Sequence, residues 1–218
     1  MDPDGSAATS SRPRGRAREA RENDTTVLEA ARAVFAEHGD GAPMSAIADR
    51  AGVGVASIYR RYPSKDLLVR ALRLLALQQA TDLAVDATAA EPGAAVRGFL
   101  ERHIRQAPGL LLTTFGQQLG LGPEVDASAD RLRLALDALV ARDAGTGALP
   151  ADYTAAELMS ALTHLRPALP TSRDRRVEIH LRQLDAYLAG LRAAAADPSI
   201  LRGEPMQWSE WLALNSAG

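Results

Sequence analysis

The chain has 218 residues, a formal net charge of -2 at pH 7, 46% hydrophobic, 4% aromatic and 24% charged residues, and no cysteine. That length allows one large domain or two small ones around a sizeable core, while the missing cysteines exclude a disulfide framework, thiolate-ligated zinc, iron–sulfur clusters and cysteine nucleophiles, and suit a reducing cytoplasm. With 43 Ala and 30 Leu against 10 Val and 5 Ile, strong helix formers outweigh the β-branched residues of strands, so the expected fold is all-α.

The near-neutral total argues against a histone-like binder but hides an asymmetry. Residues 1–73 carry 12 basic and 10 acidic side chains, or +2; residues 74–218 carry 13 and 17, or -4; without Asp2 and Asp4, residues 10–73 stand at +4. The N-terminus lacks the apolar stretch of a signal peptide, and runs such as Leu110-Leu111-Leu112 fall far short of the ~18 residues of a membrane span. A soluble, cytoplasmic protein with no membrane partner is expected.

Residues 1–22 alternate arginines with Gly, Ser and Pro and carry almost no large apolar side chain, which predicts a flexible arm. Thr26 and Glu29 fit a capping box, and Val27, Leu28, Ala31, Val34 and Phe35 repeat at helical spacing until Gly39. A short helix follows over Met44–Ala51, Gly52 breaks it, and Val55–Tyr62 resumes before Pro63. Ser64 is placed to cap a helix reaching residue 88, with Asp66 in its first turn, and Glu91-Pro92-Gly93 ends that element. Further helices are expected near 93–106, 108–119, 125–142, 153–165 and 171–196. In the last, Val177, Leu181, Leu184, Leu188, Leu191 and Ala195 recur at spacings of 4, 3, 4, 3 and 4, a seam for packing against other helices. No internal repeat is present.

The informative stretch is Ile47 to Leu68. A helix-turn-helix needs an inward apolar residue before the turn, a Gly tolerant of positive φ within it, and small residues opening the second helix so that the backbone can approach DNA. Ile47, Gly52, Val53 and Ile58 meet the needs of the fold, and Gly54, Val55, Ala56 and Ser57 form the small start. Tyr59, Arg60, Arg61 and Lys65 then supply donors suited to phosphate and to guanine edges.

At Ala30-Ala31, Phe35, Gly39, Ile47-Ala48, Ala51-Gly52-Val53, Tyr59-Arg60, Tyr62, Lys65 and Leu68 the chain resembles the TetR family of bacterial transcriptional regulators. The likeness covers residues 25–72. It implies an N-terminal three-helix DNA-binding domain, here over 23–70, followed by a larger helical ligand-binding and dimerisation domain over 71–218. It further implies base reading by Val55, Ala56 and Ser57 and backbone anchoring by Tyr59, Arg61 and Lys65. Arg60 stands between phosphate and base. Where the family often has Ser or Thr, Pro43 precedes the first motif helix; it can pre-set the first turn, with Ser45 supplying a nearby hydroxyl. Tyr62, in place of the more frequent Phe, reads as a neutral core exchange. Arg12, Arg14, Arg16, Arg18 and Arg21 put five cations within ten residues ahead of the domain; Arg16 and Arg18 are the candidates for backbone or minor-groove contact, against the alternative of a solvated tail.

Elsewhere, Phe99, His103, Phe115, Gln118, Tyr153, Met159 and His164 mix apolar bulk with polar tips as ligand cavities do, although each also fits plain core. No metal-ligand spacing surrounds His103, His164 or His180, and no nucleophile elbow, phosphate loop or dinucleotide fingerprint occurs, so neither cofactor, metal nor enzymatic activity is expected. Trp208 and Trp211 read as the packed face of a tail helix.

The expected function is therefore a homodimeric repressor of a near-palindromic, double-stranded operator, released by an unknown small-molecule effector bound between about residues 93 and 166. Leu158, Leu162, Leu165, Val177, Leu181, Leu184, Leu188 and Leu191 would form its four-helix dimer interface, setting two recognition helices roughly 34–36 Å apart. Two alternatives stand beside it: a helical ligand-binding protein or enzyme with structural N-terminal helices, and a DNA-binding regulator controlled by a protein partner.

Overall fold

The computed structural model describes residues 12–106, 122–165 and 169–214, with side chains from Asp24 onward except those of Asp40 and Gln106. Among these residues it contains nine α-helices and no strand. The chain forms two compact units, Met1–Leu68 and Val69–Gly218.

In the first unit, α1 (Arg12–His38) leads through a 3-10 turn at Gly39–Gly41 to α2 (Met44–Ala51) and α3 (Val55–Arg61). The arm expected over residues 1–22 is corrected from Arg12 onward. Apart from Gly15, residues 14–22 are Arg, Ala and Glu, strong helix formers, and Pro is tolerated in a first turn, so Thr26 and Glu29 lie inside α1 rather than at its start. Val27, Ala31, Val34 and Phe35 of α1 are buried, as are Ile47 and Ala48 of α2 and Ile58 of α3, and α1 packs on α2 and α2 on α3. Pro43 precedes α2 in an extended conformation without a side-chain cap. Gly52 closes α2 at φ +67. Its N–H bonds the Asp49 carbonyl at 3.3 Å and the Val53 N–H bonds that of Ala48 at 3.0 Å, the paired bonds of a Schellman motif, which glycine adopts without the steric penalty of a Cβ. Ser64 Oγ accepts from the Leu67 N–H at 3.3 Å, the anticipated cap, at the start of α4 (Lys65–Ala87).

The second unit holds α5 (Ala95–Gln106), α6 (Gly122–Ala144), α7 (Ala155–His164), α8 (Arg173–Ala196) and α9 (Trp208–Leu214). α5 packs on α6 and α8, and α7 on α6 and α9, around Phe99, Leu100, Leu132, Leu136, Leu139, Leu158 and Met159, all fully buried. Thr154 and Glu157 form a capping box on α7. One long-range polar clasp stands out. The Asp143 carboxylate, 1% exposed, accepts the backbone N–H groups of Gly93 (2.8 Å), Ala95 (3.3 Å) and Val96 (2.8 Å). A residue near the end of α6 thus satisfies the otherwise unpaired donors that open α5. Gly93 presents its N–H from φ +88, where a Cβ would also meet Thr146 Oγ1 at 3.1 Å.

The proposed dimer seam requires a correction. Leu158, Leu162, Leu165, Leu184, Leu188 and Leu191 are buried within the protomer, and Val177 and Leu181 pack against the same core half-buried. The 4-3 spacing marks the inward stripe of α8, which packs on α5 and joins the core of the same unit, so its leucines Leu184, Leu188 and Leu191 are already buried in a lone protomer.

Candidate nucleic-acid interface

The Gly52 turn sets the start of α3 on the surface. Gly54 precedes α3 with φ -69, a conformation open to any residue, and an added Cβ would meet nothing within 4 Å. Its smallness serves no packing against the described residues. Ala56, Tyr59 and Arg60 are exposed, Val55 and Ser57 are half-buried, and Ser45 of α2 is exposed, while Ile58 between them is anchored in the core at 1% exposure. Arg60 Nη2 donates to Ser57 Oγ at 3.3 Å. The guanidinium therefore lies back along α3 beside Ser57, on the side of the small opening residues. Lys65 stands half-buried with Nζ 5.3 Å from the centre of the Phe35 ring, a cation–π arrangement that restricts its stem.

Arg61 departs from expectation. Its guanidinium pairs with Asp24 of α1, and Tyr62 Oη donates to the same carboxylate at 3.1 Å. Both side chains at the end of α3 turn toward α1, so the phosphate donor expected at Arg61 is engaged within the fold. Tyr62 is core, as expected, but it is not a neutral stand-in for Phe: its hydroxyl makes the third point of this cluster, and burial raises its pKa. Nothing in the local pattern marks Asp24, which lies 38 residues before Tyr62. Arg16 and Arg18 belong to the opening turns of α1, and their side chains lie outside the described residues.

Of the expected ligand-lining residues, Phe99 and Met159 have no exposure and His103 is 7% exposed. The His103 ring packs beside Phe99, with centroids 6.1 Å apart. These three are core, because a stripe of bulk on the inward face of α5 or α7 fills the bundle first. Phe115 and Gln118 lie outside the described residues. His164 and Tyr153 instead open onto a groove of about 1020 Å³ between α7, α8 and the segment leading into α9. Thr154 Oγ1 donates to the Met206 carbonyl at 2.8 Å, tying that segment to α7. Tyr153 and Tyr187 share a hydroxyl–hydroxyl hydrogen bond of 2.7 Å, and burial pushes both phenol pKa values up, keeping them neutral. Trp208 and Trp211 stack at 4.6 Å, with Trp211 buried, the packed tail face anticipated from their spacing.

Among the described residues no group of three or more metal-ligating side chains converges, and no helix is long and apolar enough to cross a membrane.

A helix-turn-helix with an exposed, small-residue second helix, joined to a larger helical unit, defines a DNA-binding transcriptional regulator. The family model for bacterial regulatory proteins of the tetR family matches residues 27–72. Across the chain, a TetR transcription regulatory protein from Mycobacterium vanbaalenii is 30% identical, with 80% of this chain and 97% of that one covered and a TM-score of 0.59. A TetR transcriptional regulator from Streptomyces coelicolor is 28% identical over 78% of this chain and 98% of its own, with a TM-score of 0.56. A comparison with curated proteins finds no match. The chain belongs to the TetR family of bacterial transcriptional regulators.

Proposed function

We infer that the protein is a homodimeric repressor that binds a near-palindromic operator and leaves it when a small molecule occupies the second unit. The observation carrying this reading is the surface of α3: a glycine with no internal purpose at Gly54, followed by exposed Ala56 and by Arg60 held against Ser57. Val55 and Ala56 fit thymine methyl groups or the groove wall, and Ser57 with Arg60 reads a base edge. Tyr59, Lys65 and Ser45 hold phosphates, and Arg16 and Arg18 extend the footprint along the backbone. The effector binds the released form more tightly than the DNA-competent form, so DNA weakens effector binding by the same factor. Selection of random DNA fragments with the purified protein should enrich an inverted repeat; recovery of no common sequence would sink the operator reading.

Two substitutions separate anchoring from internal pairing. Lys65→Ala should weaken binding to all sequences and reduce the slope of log K against log salt by about one. Arg61→Ala should leave that slope unchanged, because its partner is Asp24, and should lower stability by less than about 1 kcal/mol for so exposed a pair. Fluorescence anisotropy at several salt concentrations reads both. A reduced slope for Arg61→Ala would return Arg61 to the phosphate contacts.

The dimer surface is the outer face of α8, where Ala186, Ala189, Gly190 and Ala193 are exposed in one stripe. Cytoplasmic location and regulation by a ligand rather than a protein partner complete the proposal.

A further inference from the structure

The groove beside α7 is polarised in a way the regulator reading does not require. Three glutamates, Glu157, Glu204 and Glu210, line it, and among the described residues no Lys or Arg does, in a chain with 25 basic and 27 acidic side chains. The described residues include many acidic groups paired with arginine, such as Glu124 with Arg70 and Asp185 with Arg97. None of the three groove glutamates has such a partner among the described residues. Two of them are hydrogen-bonded to backbone donors: Glu157 Oε2 accepts from Thr154 N–H at 3.0 Å and Glu210 Oε2 from Gln207 N–H at 2.6 Å. Each of these carboxylates is thereby held in place without a cationic partner among the described residues. Burial raises the pKa of Glu157, as expected of an anion losing water with no cation to replace it. The rest of the lining is mostly apolar, including Leu165, Leu191, Leu201, Met206 and Leu214, with Ser160 and His164 as further polar side chains and the Tyr153–Tyr187 pair kept neutral at one wall.

We propose that this groove is the effector site and that it takes a lipophilic organic cation. Apolar walls select the body of the ligand, and the three carboxylates with the neutral tyrosine rings select its positive charge. The volume suits a drug-sized molecule. The proposal rests on the regulator reading for its effect on DNA, while occupancy itself is read without DNA.

Both tryptophans of the chain lie in α9, which contributes Glu210 to the groove, so intrinsic fluorescence reports on occupancy. The full-length protein is titrated with tetraphenylphosphonium and with tetraphenylborate, which share shape and hydrophobicity but differ in sign of charge. The cation should change the tryptophan emission saturably and bind at least about tenfold more tightly than the anion. The Glu204→Gln/Glu210→Gln double variant retains an amide oxygen at position 210 to accept from Gln207 N–H. It should lose about tenfold in affinity for the cation while keeping its helical circular dichroism. Equal binding of the two ions, or a double variant with unchanged affinity, overturns the cation selectivity. Binding that vanishes as protomer concentration is raised assigns the groove to a second copy and overturns the ligand site. Saturating tetraphenylphosphonium should also weaken binding to the selected DNA by about fivefold or more; a saturated protein with unaltered DNA affinity overturns the effector role. Fragment selection without the cation tests the regulator reading separately.

Discussion

Asp143→Ala should destabilise the second unit by roughly 3–5 kcal/mol. The reasoning starts from the donors rather than from Asp143. Gly93, Ala95 and Val96 present backbone N–H groups at the opening of α5, where no preceding helical turn can accept them, and the carboxylate takes all three at 2.8–3.3 Å while 1% exposed. Alanine leaves those donors without acceptors in an interior that water enters poorly, and each unmade bond of this kind costs about 1–3 kcal/mol. Asp143→Asn keeps one acceptor oxygen but turns an amide N–H toward backbone donors, so about half the loss is expected. Guanidinium titration followed by tryptophan emission reads this unit directly, since Trp208 and Trp211 belong to it. Protomer concentration must be held fixed, and the midpoint should fall with little change in slope. A loss below about 1 kcal/mol would show that the clasp is solvated or readily replaced.

The parts of this molecule that the chain announces are those whose causes lie within a few residues. Gly52 ends α2 because the chain must turn left-handed there, Pro63 cannot continue α3, and Ser64 caps the next turn; all three signals sit beside the structure they determine. Resemblance to a known family adds roles to the same stretch. What is not legible has its cause elsewhere in the chain. Asp143 reaches Val96 across 47 positions, and Asp24 reaches Tyr62 across 38, so neither acid carries a local mark of its task. Periodicity identifies the buried stripe of α8 but cannot say which surface buries it; α5 and the core of the same protomer bury its leucines, so that stripe needs no second copy to cover it. The start of α1 misleads for the opposite reason: Thr26 and Glu29 have the spacing of a capping box, yet the helix-forming residues before them carry the helix through. The groove glutamates share no sequence pattern, because α7 and the chain before α9 meet only in the folded unit, where Thr154 holds Met206.

Gly190→Arg should convert a dimer into monomers and reduce affinity for the operator by about a hundredfold or more, because two linked half-site contacts become one. Gly190 lies inside α8, a 24-residue helix, where glycine is about 1 kcal/mol less favourable than alanine. Nothing among the described residues explains that choice: φ is not in the left-handed region, and an added Cβ would meet no described atom within 4 Å. The neighbours one turn away on the same face, Ala186 and Ala193, together with Ala189, are also small and exposed. A face whose side chains are kept short, at a cost in helix propensity and with no internal packing demand, is suited to another helix approaching closely, and two-fold pairing of identical α8 helices would place each stripe against its copy. Arginine is a better helix former than glycine, so the substitution should leave the protomer as helical as before or more stable; loss of dimer then reads the interface and not the fold. Gly190→Ala supplies the control, with pairing largely retained and the helix strengthened by about 1 kcal/mol. Light scattering coupled to chromatography, with operator anisotropy on the same samples, measures both quantities. If Gly190→Arg stays dimeric at micromolar concentration, the outer face of α8 is not the interface; if it becomes monomeric while operator affinity is unchanged, the two reading heads do not act together.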